Sequence, residues 1–153
     1  FFDIVQYRDS LHAVYLAIGS NAQRRKWFTF LLQNKFILPA LCHPSARIEQ
    51  DATVGMASVV CLGALVGTQV IIGKGSVINT GCSIDHESSV GDFSHLAPGV
   101  AVAGRTEIGS NTFVGLNTAI ADRVKIGSDV VIGAGSVILA DVPNGVKVVG
   151  VHK

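Results

Sequence analysis

The stretch Asn79-Thr80-Gly81-Cys82-Ser83-Ile84-Asp85-His86-Glu87 places one imidazole between two carboxylates. A histidine changes charge near neutral pH, so His86 is suited to take a proton from an amine or hydroxyl and to return it later. The flanking carboxylates can orient its ring. A base does not stabilise the oxyanion that forms when such a nucleophile attacks a carbonyl, whereas a peptide N–H with no Cβ beside it can. Gly104, eighteen residues on, offers such a donor if the fold brings it to His86. Together they are the minimal equipment for acyl transfer. Cys42, Cys61 and Cys82 are spaced 19 and 21 apart, which fits neither a disulfide framework nor a zinc site, and they read as reduced core thiols.

A six-residue period supplies the elements that position these groups. Every sixth residue from Ile48 to Ile138 is Ile, Val or Leu, sixteen in succession. The residue two before each is small or β-branched, as at Ser58, Cys82, Ser94 and Thr112, and eight of the sixteen are followed directly by glycine. Neither a 3.6-residue helix nor a hairpin array has this period. It predicts short strands with two inward positions, each followed by a bend at which glycine relieves the cost of positive φ. Three such units make a triangular coil of 18 residues, and a little over five coils stack as parallel strands. Gly104 then lies on His86, about 4.8 Å away. Cys82 faces inward, a poor position for a nucleophile. His95 faces outward half a coil from His86, on another side of the prism, so joint use of the two histidines requires neighbouring subunits. Pro98, Leu116 and Ala134, spaced by 18, form a column along which an extended apolar ligand arm can lie.

Three segments are expected: a partial α/β unit over 1–41, the solenoid over 42–141, and a tail over 142–153. In the first, Ala13–Ile18 reads as a buried strand, Gly19-Ser20-Asn21 as a turn with an N-cap, Ala22–Gln33 as a helix with Trp27, Phe28, Leu31 and Leu32 on one side, and Phe36–Leu38 as another strand. Arg24-Arg25-Lys26 reads as a solvated basic face or a phosphate contact. The opening at Phe1 enters as if in mid-fold. The 153 residues are 48% hydrophobic and 15% charged with a net charge of +1, which predicts one compact domain and no nucleic-acid partner. The chain shows no apolar membrane segment and no export signal, so a cytoplasmic protein is expected.

The period, together with Ile84-Asp85-His86-Glu87, Gly91-Asp92-Phe93-Ser94-His95, Gly115-Leu116-Asn117 and Gly133-Ala134-Gly135-Ser136-Val137, resembles the hexapeptide-repeat sugar acetyltransferases. These include bacterial nucleotide-amino-sugar N-acetyltransferases and sialic acid O-acetyltransferases. The resemblance implies a mainly β fold, a left-handed parallel β-helix preceded by a Rossmann-like unit that holds the nucleotide of the acceptor. It implies that His86 is the catalytic base, that Glu87 strengthens it, and that the Gly104 amide holds the oxyanion. It further implies that His95, Leu116 and Ala134 contact acetyl-CoA, the acyl donor, with no metal. Asn79, with Gly19 and Asn21 in the turn Ala17-Ile18-Gly19-Ser20-Asn21, corresponds to the acceptor side. Active sites between the subunits of a homotrimer follow from the same resemblance. The Gly-rich first turn of the family is absent, and Gly150-Val151-His152-Lys153 departs from its usual Gly-x-Pro-Ala-Lys/Arg ending. A nucleotide-linked amino sugar is the expected acceptor, and a sugar hydroxyl, as in sialic acid, the alternative. A zinc enzyme of the carbonic anhydrase kind would need three converging histidines where the solenoid offers His86 and His95. A non-catalytic solenoid scaffold is the other remote alternative; its ice-binding version would need outward threonines, whereas Thr106, Thr112 and Thr118 fall in the inward register.

Overall fold

Two-residue strands recur along the chain from Leu41–Cys42 to Val151–His152 in a computed structural model that describes residues 3–153. Phe1 and Phe2, with which the expected mid-fold opening begins, lie outside the described residues. The strands pair in parallel into three faces of seven, seven and five strands. Face 1 carries His95–Leu96, face 2 Ser83–Ile84 and face 3 Ser89–Val90. The register is the predicted eighteen: Ser83 pairs with Ala101, and His95 with Phe113. The inward aliphatics from Val60 to Ile138 are all buried, and only Ile48 and Val54, in the first coil, are half-buried.

The small inward residues have a second task. Ser76 Oγ donates to the Gly91 carbonyl (2.8 Å) and accepts the Ser94 N–H (3.2 Å), and Ser94 Oγ donates to Gly109 (2.7 Å) and accepts from Thr112 (3.0 Å). Each hydroxyl thus satisfies a carbonyl and an N–H that the bend leaves without a ladder partner.

The expected reason for the bend glycines is corrected. Positive φ falls three residues after each inward aliphatic from Val54 to Ile132, at Ala57, Glu87, Phe93, Arg105 and their equivalents, where non-glycine residues are common. The glycines that directly follow the aliphatics do not have positive φ. Six of the eight are needed because the next coil passes too close: a Cβ on Gly91 would stand 2.6 Å from the Ser110 nitrogen, and one on Gly73 2.7 Å from the Asp92 nitrogen.

In the front segment, helix α1 spans Asn21–Gln33, with Ser20 as its N-cap accepting the Gln23 N–H. Phe28 and Leu31 bury against Leu16, Phe36, Leu38 and the solenoid's Ala57 and Phe93; the rings of Phe28 and Phe93 meet edge to face at 5.2 Å. Leu32, expected on the same side, is exposed. The two strands expected beside the helix do not form. Val14 N–H donates to the Ile37 carbonyl (3.0 Å), but one bond makes no ladder, and Tyr15 and Ile37 face solvent. A 3₁₀ helix, Ile4–Ser10, precedes them, started by the Asp3 carboxylate accepting the Val5 N–H.

At the other end, residues 142–153 continue the stack as a shortened coil: Lys147 pairs with Val131 and Val151 with Val137. Parallel pairing needs the backbone of the previous coil and not the hexad itself, so it outlasts the period. All three cysteines are free; Cys82 is buried as expected, Cys61 is half-buried, and Cys42, on the outermost strand of face 1, is exposed rather than in the core.

Candidate active site

The corner joining faces 2 and 3 holds Asp85-His86-Glu87. Asp85 Oδ1 accepts the His86 backbone N–H (2.8 Å), which pins the bend. Positive φ at Glu87 (56°) follows at once, and its Oε2 meets His86 Nδ1 at 2.9 Å. A carboxylate can only accept, so Nδ1 carries the hydrogen and Nε2 keeps the lone pair that a base requires. The ring lies against Gly104: a Cβ there would be 2.7 Å from Nε2, 2.8 Å from Cε1 and 3.2 Å from Cδ2. His86 and Gly104 are therefore vertical neighbours, joined also by the Arg105 N–H donating to the His86 carbonyl (2.8 Å). Gly104 is buried because the imidazole covers it, and its own N–H makes no hydrogen bond among the described residues. The His86 side chain is 36% exposed, enough to meet a substrate.

Arg105 is a member of this corner that the sequence reading passed over. It lies 3.5 Å from Glu87 Oε2 and 3.1 Å from Asp122, one lap on from Glu87 in register. Counting eighteen from Glu87 as well as from His86 would have found it.

His95 stands on face 1, away from this corner, and gathers two other expected residues. Its Nδ1 meets the Gly19 carbonyl and its Nε2 the Asn79 side-chain amide, each at 3.2 Å. Phe113 packs edge to face on the ring at 5.3 Å. Burial pushes the His95 pKa below the ordinary histidine value, the Gly19 bond opposes this, and the charge of Arg24 adds to it. Asn21 is placed differently. Its amide donates to the carbonyls of Asn111 and Thr112 (3.2 and 3.3 Å) and its oxygen accepts from Arg24 (2.8 Å), so it fastens α1 to the solenoid.

Leu116 and Ala134 are exposed at the corner between faces 1 and 2, stacked through the Gly135 N–H donating to the Leu116 carbonyl (2.7 Å). Between that corner and the His86 corner lies face 2, where Leu65, Ser83, Ala101 and Ala119 line a shallow cleft of about 550 Å³. Cys82 donates to the Ala97 carbonyl at 3.1 Å, and burial pushes its thiol up to about 11, which suits a core residue and not a nucleophile. Among the described residues no three of His, Cys, Asp and Glu gather as a metal site. No helix among them is long and apolar enough to cross a membrane.

Arg24 corrects the reading of the basic helix. It is neither solvated nor turned toward a phosphate but fully buried, bonded to the carbonyls of Gly75, Phe93 and Ser94 on the solenoid. Its spacing from Phe28 and Leu31, at i, i+4 and i+7, already places it on the buried stripe.

Comparison with known proteins agrees with this fold. Residues 105–140 match the family model for the bacterial transferase hexapeptide (six repeats). The acetyltransferase domain of PglB from Neisseria gonorrhoeae FA1090, solved with acetyl coenzyme A, is 32% identical at a TM-score of 0.89, over 95% of this chain and 73% of that one. PerB from Caulobacter crescentus, solved with CoA and GDP-perosamine, is 32% identical at a TM-score of 0.94, over 96% of this chain and 72% of that one. The chain belongs to the hexapeptide-repeat sugar acetyltransferases. WeeI from Acinetobacter baumannii AYE is a further similar structure, 26% identical at a TM-score of 0.86 over 90% of this acetyltransferase and 68% of WeeI. No curated protein sequence matches this acetyltransferase.

Proposed function

We propose that this acetyltransferase moves the acetyl group of acetyl-CoA directly to the amino group of a nucleotide-linked amino sugar. The observation that carries the mechanism is the His86 corner: a ring whose Nδ1 is held by Glu87 at 2.9 Å and whose Nε2 lies over a glycine whose N–H has no partner among the described residues. His86 Nε2 takes a proton from the amine as its nitrogen attacks the thioester carbonyl carbon. The tetrahedral oxyanion is stabilised by the Gly104 N–H. As the intermediate collapses, the carbon–sulfur bond breaks and the departing thiolate takes the proton back from His86. No acyl-enzyme forms.

The acceptor class is supported by the similar structure solved with GDP-perosamine, an amino sugar on a nucleotide. Acetyl-CoA as donor is supported by the one solved with it. In this reading His95, Leu116 and Ala134 line the path of the donor, and Asn79 and Gly19 face the acceptor. His86 and the Leu116–Ala134 column occupy different corners of one prism. A homotrimer with each site shared between neighbouring subunits brings such corners together, in the cytoplasm where acetyl-CoA is supplied.

Release of CoA against a panel of nucleotide amino sugars tests the reading. His86→Ala lowers kcat at least ~100-fold, the smaller end of what a general base contributes, with the fold and the mass of the assembly unchanged. Activity within threefold of the parent chain refutes the assignment of the base.

A further inference from the structure

Arg24 is the bulkiest of the fully buried side chains, and among the described residues no carboxylate pairs with it. Carbonyl oxygens meet it instead: NH1 donates to Ile18 (2.7 Å) and Gly19 (3.1 Å), NH2 to Phe93 (2.9 Å) and Ser94 (3.2 Å), and Nε to Gly75. Burial brings its pKa down to about 10, so it stays charged at neutral pH. A buried cation without a counterion is an expensive way to dock a helix, and an apolar residue on the same stripe would do that alone. The charge therefore calls for another role.

The Gly19 carbonyl that Arg24 holds is the one facing His95 Nδ1. A carbonyl only accepts, so Nδ1 bears the hydrogen. On the other side of the ring, the orientation of Asn79 is fixed independently, because its Oδ1 accepts the Thr80 N–H at 2.8 Å. That turns Nδ2, a donor, toward His95 Nε2, which must then carry a lone pair. Arg24 is the charged group that faces the ring. Val77 and Phe113, its strand neighbours on either side, are uncharged.

We propose that Arg24 is a positioning residue: through the Gly19 carbonyl it fixes His95 as the Nδ1–H tautomer, so that His95 holds Asn79 with one amide N–H left over as a hydrogen-bond donor to the acceptor sugar. Asn79 Nδ2 has two hydrogens and one partner among the described residues. At this point the site therefore donates to a lone pair on the acceptor, which a hydroxyl, ring or carbonyl oxygen or a neutral amine can supply. This last step rests on the proposed transfer to a sugar, whereas the tautomer does not.

Long-range ¹H–¹⁵N spectra of the full, ligand-free chain test it, with His95 assigned by the loss of its signals in His95→Gln. The expected spectrum has a protonated Nδ1 and a bare Nε2, with a titration midpoint below the ordinary ~6.5. Asn79→Asp, of the same shape, puts a carboxylate at Nε2 and raises the midpoint by about 1–2 pH units. Arg24→Met removes the charge and the grip on Gly19, and in the folded variant the Nε2–H form gains population. An Nε2–H spectrum for the parent chain overturns the proposal, as does a midpoint that Asn79→Asp leaves in place. A folded Arg24→Met variant with the parent's tautomer also overturns it, making Arg24 a strut only. Should Arg24→Met fail to fold, the parent and Asn79→Asp spectra decide. The expected spectra in a chain inactive on every nucleotide amino sugar would support the tautomer and overturn the donor role.

Discussion

Adding a single methyl group at Gly104 separates catalysis from stability. The backbone of Gly104 is outside the left-handed region, so alanine fits its conformation, and loss of glycine's freedom in the unfolded chain favours folding by about 0.4–1 kcal/mol. The new Cβ, however, would lie 2.7 Å from His86 Nε2 and 2.8 Å from Cε1, about an ångström inside an ordinary contact of ~3.5–4 Å. The ring is the movable partner, so it swings away. In doing so it breaks its bond to Glu87 and carries Nε2 off the line to the acceptor. A displacement of about 1 Å in a reacting group costs roughly 100-fold. The Gly104 N–H remains, so oxyanion stabilisation survives in part. Gly104→Ala is therefore expected to lower kcat about 100-fold or more while the thermal midpoint holds or rises slightly, measured by CoA release and by calorimetry on one preparation. Gly91→Ala is the contrast. Its Cβ would meet the Ser110 backbone at 2.6 Å, which cannot swing away, and a loss of about 1–3 kcal/mol of stability is expected. A Gly104→Ala enzyme within threefold of the parent rate would show that the ring position does not matter, and the reasoning about this corner would fail.

Two further outcomes follow from the interior. Ser94→Ala removes a donor to Gly109 and leaves the Thr112 N–H buried without an acceptor, so unfolding free energy should fall by about 1–3 kcal/mol; an unchanged denaturation midpoint would contradict the hydroxyl ladder. His95 has a folded-state pKa below its unfolded value, so the unfolded chain binds the extra proton first. Its contribution to stability is full above the unfolded value of ~6.5 and is lost as pH falls from there through the folded value. His95→Gln should flatten that acid slope, and a slope equal to the parent's would refute the assignment.

The fold was legible because its signal is redundant. Sixteen aliphatics at one spacing admit one architecture, and a lap of eighteen residues brings Gly104 to His86 from the sequence alone. The reason for the bend glycines was not legible. Positive φ and close approach of a neighbouring coil both call for a residue without Cβ, and only the coordinates separate them. Arg24 was misread for a related cause: its neighbours Arg25 and Lys26 are exposed, and a charge run says nothing about which member turns inward. The front strands failed for want of a partner, since an apolar run needs a ladder to become one.

By itself the sequence determined the coil length, the inward and outward faces, and the pairing of the Asp85-His86-Glu87 corner with Gly104, because a strict period converts linear spacing into vertical contact. Tertiary structure alone decided that the His86 ring covers Gly104 with Nε2 free, that Arg24 is buried among carbonyls, and that Gly19 and Asn79 meet on His95. Those contacts join segments as far apart as Gly19 and His95, with no common period, and their hydrogen-bonding roles depend on which donors and acceptors the packing leaves facing one another.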